Sequence, residues 1–323
     1  MIARELAALP AYTEEVALGL TSRPKSLPCK LFYDGPGSAL FEEITRLPEY
    51  YLTRTELEIL HDRADEMVRT MGTVTVVELG AGTAVKTCTL LESLSRQRIG
   101  VRYFPVDISR AALAQARERV DSLSRQILVR PVVADFSDGF EFLRDIPGKK
   151  LVAYLGSSIG NFDPETAIGM LSQIHQQLAP QDTLLLGTDL VKDESMVLAA
   201  YDDSQGVTEQ FNKNILARLN RELLANFDLD SFRHVALWNP QKSCVEIHLE
   251  SLSAQTVDLP LLHLRVYLSP GERIHTENSY KYTVATVKRM LERSGYGLTH
   301  TWLDRRHWFA LHLARVQPPR FQS

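Results

Sequence analysis

The sequence predicts an α/β fold, an open and mostly parallel sheet with a smaller α+β unit set into it. Short apolar, β-branched runs recur at VTVVELG (74–80), VRYFPVD (101–107), ILVRPVVAD (127–135), KLVAYLG (150–156) and DTLLLGTDL (182–190). Segments with helical periodicity separate most of them, at 84–96, 110–123 and 164–178. Buried strands alternating with helices mean βαβ units and a parallel sheet covered on both faces. After Leu190 the alternation stops, which marks the second unit.

The first ~55 residues read as helix and loop, interrupted by Pro24, Pro28 and a GPGS turn at 35–38. A helical pattern runs over 54–71 and ends near Gly72. The five strands follow, and right-handed crossovers place every strand-to-helix loop on one edge of the sheet, where such sheets bind ligands. Beyond Leu190, helical stretches at 194–202 and 207–227 lead into FRHVALWN, SCVEIHLESL and LLHLRVYL, which read as antiparallel strands. In CVEIHLE, Val245, Ile247 and Leu249 share one face and Glu246, His248 and Glu250 the other. A helix over 282–294 and two strands, GLTHTWLD and WFALHLARV, form a terminal hairpin that completes the large sheet. The expected division is 56–191 with 282–323 for the sheet domain, and 1–55 with 192–281 for the smaller one.

Composition narrows the function. A net charge of −4 leaves no electrostatic footprint for nucleic acid or an acidic membrane. Cys29, Cys88 and Cys244 are far apart and without CxxC spacing, so neither a disulfide framework nor a thiolate metal site is expected. The histidines lack HxH and HExxH spacing, and no metal is expected. The start, MIARELAALPAYTEEV, carries acids where a signal peptide would be apolar, and no run reaches membrane-spanning length. A cytoplasmic monomer acting on a small molecule, with no nucleic acid or membrane partner, is the expectation.

VVELGAGTAVKT is the strongest local signal. Gly80 and Gly82 let the backbone turn tightly off the first strand and let a ligand approach it. The third glycine of a dinucleotide loop is replaced by Val85, and Lys86-Thr87 lies at the wrong spacing for a phosphate loop. Glu78, under the loop, would repel phosphate and suits a cationic ligand. Asp107, ending the second strand, can take the two hydroxyls of a ribose. Asp135 and Phe136, ending the third, offer an acceptor for an exocyclic amine and a ring for adenine. Three strand-end acids around a glycine loop without a phosphate motif describe S-adenosylmethionine (SAM).

Tyr33-Asp34, GSALFEEITRLPEYYLTRTE (37–56), ELGAGTAVKT, GSSIGNF (156–162) and YDDSQGVTEQFN (201–212) together resemble the histidine-specific N-alpha-methyltransferases of ergothioneine biosynthesis. The resemblance spans essentially the whole chain. It implies a Rossmann-like class I SAM-dependent methyltransferase sheet, a substrate domain peculiar to the group, and histidine between the two. Cofactor positions carried over by it are Gly80, Lys86, Asp107, Asp135 and Phe136, with Gly82 in the same loop and Gly156 at the head of GSSIGNF. Substrate positions are Tyr50, Asn161, Tyr201, Glu277 and Ser279, with Tyr33 near the amine and Phe41 close by. Tyr33 and Asn161 are the implied catalytic pair. Ile247 departs from the methionine expected in mycobacterial members, an exchange of similar volume with modest retuning expected.

Physical chemistry supports these roles. Methyl transfer is an in-line attack by a neutral amine, so the protein mainly supplies positioning, worth ~7–11 kcal/mol. Aromatic faces tolerate the growing methylammonium through cation–π attraction of roughly 0.5–2 kcal/mol. Reading imidazole requires partners for both ring nitrogens. Glu277 and Ser279, two apart in RIHTENSYKYT, point the same way if that stretch is extended. Local pattern alone allows a helix to start at Thr276 instead. The expected substrate is L-histidine with its mono- and dimethyl intermediates and hercynine the product; alternatives are tryptophan or another amine, or a silent SAM-binding regulator.

Overall fold

The computed structural model describes residues 10–72 and 75–318. They fall into two compact units, one holding the chain up to Tyr50 with Asp193–Ser279, the other holding Tyr51–Lys192 and the chain from Tyr280 onward. The chain passes between them at 50/51, 192/193 and 279/280.

The larger unit is built on an eight-stranded sheet. Its order runs Tyr296–Leu303, Phe309–Val316, Thr183–Asp189, Lys150–Tyr154, Thr75–Leu79, Arg102–Asp107, Leu128–Val129, with Val132–Val133 also on the Arg102–Asp107 strand. The first two strands of that order form an antiparallel hairpin, and Phe309–Val316 also runs antiparallel to Thr183–Asp189. The others pair in parallel. This is the open, mostly parallel sheet expected from the sequence, completed by the hairpin at residues 296–316. The central strands Thr75–Leu79, Lys150–Tyr154 and Thr183–Asp189 are buried at every residue, as a sheet covered on both faces demands.

Between them run helices Thr87–Gln97, Arg110–Leu123 and Pro164–Gln176. Helix Leu52–Met71 packs on Thr87–Gln97, and Val284–Arg293 on Pro164–Gln176. The third predicted strand is broken in two. Leu128 and Arg130 N–H donate to the Val101 and Tyr103 carbonyls at 2.9 and 2.8 Å, and Ala134 N–H to the Asp107 carbonyl at 3.2 Å, so both pieces stay on the same neighbour, with Pro131 at the break.

The smaller unit has a four-stranded sheet ordered Lys25–Ser26, Arg273–Tyr280, Cys244–Ser251, Phe232–Asn239, and a two-stranded ladder of Gln255–Leu259 with Leu264–Leu268. Its helices are Thr13–Thr21, Gly35–Ile44, Glu194–Ala199 and Val207–Leu223. The GPGS stretch is the first turn of helix Gly35–Ile44, not a chain reversal. Asp34 caps it by accepting from Gly37 N–H at 2.8 Å, and Pro36 suits a helix start. Gly37 is required there, because an added β-carbon would fall 1.7 Å from the Phe32 carbonyl oxygen. The RIHTENSYKYT stretch is also corrected in part. Its first eight residues are strand, and the helix starts only at Val284 behind a Thr283 cap.

Candidate functional site

At the end of strand Thr75–Leu79 the chain turns through Gly80 (φ +67°) and Gly82 (φ +52°). A β-carbon added at either would meet nothing within 4 Å, so space beside this backbone is open to a ligand. Ala84 also has positive φ, +59°, and the helix therefore begins at Thr87 and not at the predicted residue 84. The loop is tied to the neighbouring strand. Ala81 N–H donates to the Val106 carbonyl at 3.0 Å, and Gly82 N–H to Asp107 Oδ2 at 2.9 Å. Ser109 N–H donates to Asp107 Oδ1 at 2.9 Å. Each oxygen of Asp107 keeps acceptor capacity beyond these bonds, so the carboxylate is oriented and still able to take a diol.

Asp135 accepts from Ser137 N–H at 2.9 Å and opens the single turn Phe136–Asp138. The half-buried Phe136 ring stacks on Phe140 with centroids 5.4 Å apart. Lys86 and Gly156 are joined by Glu56, which the sequence reading passed over. Lys86 Nζ lies 2.7 Å from Glu56 Oε2, and Gly156 N–H donates to Glu56 at 2.9 and 3.0 Å. A signal for it existed: Leu52, Thr55, Glu56, Ile59 and Leu60 form the buried stripe of their helix, and an acid in such a stripe needs a partner.

Glu78 does not face a ligand. It is 2% exposed, with Thr87 donating to it at 2.5 Å and Tyr103 to its other oxygen. Burial pushes its carboxyl up to about 7, against the opposing pull of those two hydroxyls. It therefore braces the loop from beneath. The remaining donor set fits SAM: Asp107 for the ribose, Asp135 and Phe136 for the adenine, and an ammonium and the loop backbone for the methionine end.

In the smaller unit the predicted substrate residues converge from separate segments. Tyr33 meets Phe41 edge to face at 5.7 Å, Phe41 meets Tyr50 at 6.2 Å, and Tyr50 meets Tyr201 at 6.4 Å. Tyr201 Oη lies 2.7 Å from Ser279 Oγ. Phe211, which the sequence reading did not single out, packs beneath Tyr33 and Phe41, at 5.9 Å from each. Glu277 and Ser279 share strand Arg273–Tyr280, two residues apart as an extended chain requires for a common direction. Glu277's charge is felt at Cys29, whose thiol is pushed up to about 12 by burial first and by this carboxylate second.

A polar hub ties the Tyr201 backbone to the strand of Glu277 and Ser279. Asn212 is 1% exposed. Its amide donates to His234 Nδ1 at 2.8 Å and to the His248 carbonyl at 3.0 Å. Its oxygen accepts from Thr276 at 2.8 Å. Burial holds His234 below its usual range, and the neutral ring donates through Nε2 to the Tyr201 carbonyl at 2.7 Å. Thr276 is thus a mid-strand tie and no helix cap. Its hydroxyl also donates to the Ile247 carbonyl at 3.1 Å, the link by which buried Ile247 enters the network. Asn161 belongs to the larger unit, closing the turn Ser158–Asn161, half-buried. That turn is held where Asp189 N–H donates to Ser157 Oγ at 2.8 Å. Gly160 sits so close to Tyr280 that a β-carbon would come within 2.8 Å of its carbonyl.

No cluster of three or more His, Cys, Asp or Glu side chains is placed to hold a metal ion, and no helix is long and apolar enough to cross a membrane, among the described residues. The chain is similar to known proteins over nearly its full length. It is 44% identical to the histidine N-alpha-methyltransferase of Mycolicibacterium smegmatis over 95% of both chains. It is 42% identical to that of Mycobacterium tuberculosis over 94% of both. Ergothioneine biosynthesis protein 1 of Neurospora crassa is 29% identical over 86% of this chain and 32% of its own. The family model described as histidine-specific methyltransferase, SAM-dependent, matches residues 12–316, and the chain belongs to that family.

Proposed function

We propose that this enzyme transfers methyl groups from SAM to the α-amino nitrogen of L-histidine, three in succession, to give hercynine. The observation that carries the reading is the Tyr201–Ser279 hydrogen bond of 2.7 Å, on the strand that also presents Glu277. A carboxylate and a hydroxyl two residues apart supply an acceptor for one imidazole N–H and a partner for the second nitrogen. An indole, with one N–H and no ring acceptor, leaves one of them unmatched.

Bound SAM supplies an electrophilic methyl carbon on a sulfonium. Gly80, Gly82, Lys86, Asp107, Asp135, Phe136 and Gly156 hold it. Tyr50, Tyr201 and Asn161 bind the amino acid, and Tyr33 with Asn161 orients its amine so that the lone pair lies in line. The rings of Tyr33 and Phe41 offer negative faces to the methylammonium that develops. The proton leaves to solvent, because a single fixed base would have to serve three differently substituted nitrogens.

The test offers the purified protein SAM with a panel of free amino acids and follows mass gains of one, two and three methyl groups. Histidine should take three while the others take none. Preference for tryptophan, or no turnover on any amine, would overturn the reading.

A further inference from the structure

Asp189 ends a strand buried at every residue, and its surroundings are unlike those of any acid at the cofactor edge. Tyr51 Oη donates to Oδ2 at 2.7 Å, Lys281 Nζ to Oδ2 at 2.9 Å, and Lys192 Nζ to Oδ1 at 2.5 Å. The side chains of Asp189 and Lys281 are fully buried and that of Lys192 is 5% exposed. Lys192 further donates to Tyr51 Oη at 2.8 Å and lies 4.4 Å from the centre of the Tyr51 ring. Burying two ammonium groups around one carboxylate is costly, and burial pulls Lys192 down to about 8 although Asp189 opposes this.

The positions of the three partners explain why so costly a cluster is kept. The chain passes between the two units at 50/51, 192/193 and 279/280. Tyr51, Lys192 and Lys281 stand at these passages, each on the larger unit's side. The backbone repeats the tie, since Tyr282 N–H donates to the Asp189 carbonyl at 2.9 Å and Val191 N–H to the Tyr282 carbonyl at 2.8 Å. Tyr50 is the neighbour of Tyr51, and Glu277 and Ser279 lie four and two residues before Lys281.

We propose that Asp189 is a positioning residue, a single carboxylate that clasps all three chain passages and so fixes the origin of the segments carrying Tyr50, Tyr201, Glu277 and Ser279. The role rests on those four being the histidine-binding residues. Asp189 also anchors the turn of Asn161 through Ser157, so five substrate positions trace back to one strand end.

Asp189→Asn keeps the shape and removes the charge; Tyr51→Phe removes one donor and keeps the ring. In folded protein that binds SAM as wild type does, both should raise the KM for histidine, Asp189→Asn by about tenfold or more and Tyr51→Phe by less, with kcat changed far less, because displaced binding residues weaken ground state and transition state alike. A merely structural loss would lower the yield of active enzyme and leave KM alone. An unchanged histidine KM in either variant overturns the clasp. Should Asp189→Asn not fold, Tyr51→Phe and Lys192→Met decide by the same readout. Glu277→Ala separates the two ideas. If it keeps wild-type histidine affinity, the substrate reading falls, and amide exchange at 49–52, 191–194 and 279–282 then judges the clasp. Faster exchange there in Asp189→Asn supports it and unchanged exchange overturns it.

Discussion

The proposed cofactor edge and the proposed substrate face are made of different material. The edge is mostly backbone: two positive-φ glycines, loop amides aimed at Asp107, and strand ends set side by side by the sheet. The proposed substrate face is made of side chains, Tyr33, Phe41, Tyr50, Tyr201 and the Glu277–Ser279 pair, joined by ring contacts and, at Tyr201 and the strand of Glu277, by hydrogen bonds through His234 and Asn212. A site of the first kind is generic and tolerates side-chain exchange nearby. One of the second kind is specific and fails at single atoms.

The largest expected effect tests that specificity. Glu277→Ala should weaken histidine binding by two to three orders of magnitude, ~3–4 kcal/mol, because a ring N–H bonded to a carboxylate loses its partner. SAM binding should stay within about twofold, since the glycine loop, Asp107 and Asp135 all belong to the other unit. Calorimetry with each ligand checks both halves. Equal losses for the two ligands would break the contrast between the regions.

Next in size is an acid that the edge uses only for support. The Glu78 carboxyl is raised from 4.5 to about 7 by burial. Between these values the folded protein keeps a proton that the unfolded chain releases. Its contribution to stability is complete below pH 4.5 and fades as the pH rises through 7, by roughly 3 kcal/mol in all. Glu78→Gln should flatten that slope in denaturation midpoints measured from pH 4.5 to 7.5, with SAM affinity nearly unchanged. A slope as steep as wild type would show that other groups carry it.

How far the sequence could be read follows the same division. Strand runs, glycine turns and strand-end acids recur with a period, so the sheet and the placing of Gly80, Gly82, Asp107 and Asp135 at its strand ends were legible from pattern alone. Tyr50 and Ser279 were not, because a tyrosine after LPE or a serine in a polar strand has no local mark. They are proposed from the resemblance. Buried acids escaped both routes. Glu56 and Asp189 lie in the predicted helix 54–71 and strand 182–190 with no local mark of a role, and only the folded chain brings Lys86, Lys192 and Lys281 to them. The GPGS stretch misled for the converse reason, since a strong local turn signal there serves the first turn of a helix.

Smaller again is the effect of a single β-carbon on the edge. Gly82→Ala places a side chain at φ +52°, where L-residues cost ~1–2 kcal/mol, and projects it into space where nothing lies within 4 Å. SAM affinity should fall about tenfold or more, as strain and ligand clash add. Histidine binding in a fluorescence titration without cofactor should be spared. A loss confined to histidine would mean that the two regions had been assigned the wrong way round.

The smallest effect belongs to Ile247→Met. Ile247 is 2% exposed, opposite Ala236 in the antiparallel pair, and its link to the substrate strand is a carbonyl accepting from Thr276. That bond uses backbone and survives any substitution, so the exchange alters only the shape of an apolar wall, a volume-conserving change that costs less than ~1.5 kcal/mol. Histidine KM should move by no more than about threefold, and tryptophan should remain unmethylated. A shift beyond tenfold in either would show that side-chain shape at residue 247 selects the amino acid alongside Glu277. The substrate face would then discriminate by apolar fit as well as by hydrogen bonds, and the mycobacterial and present chains would differ in specificity at that one position.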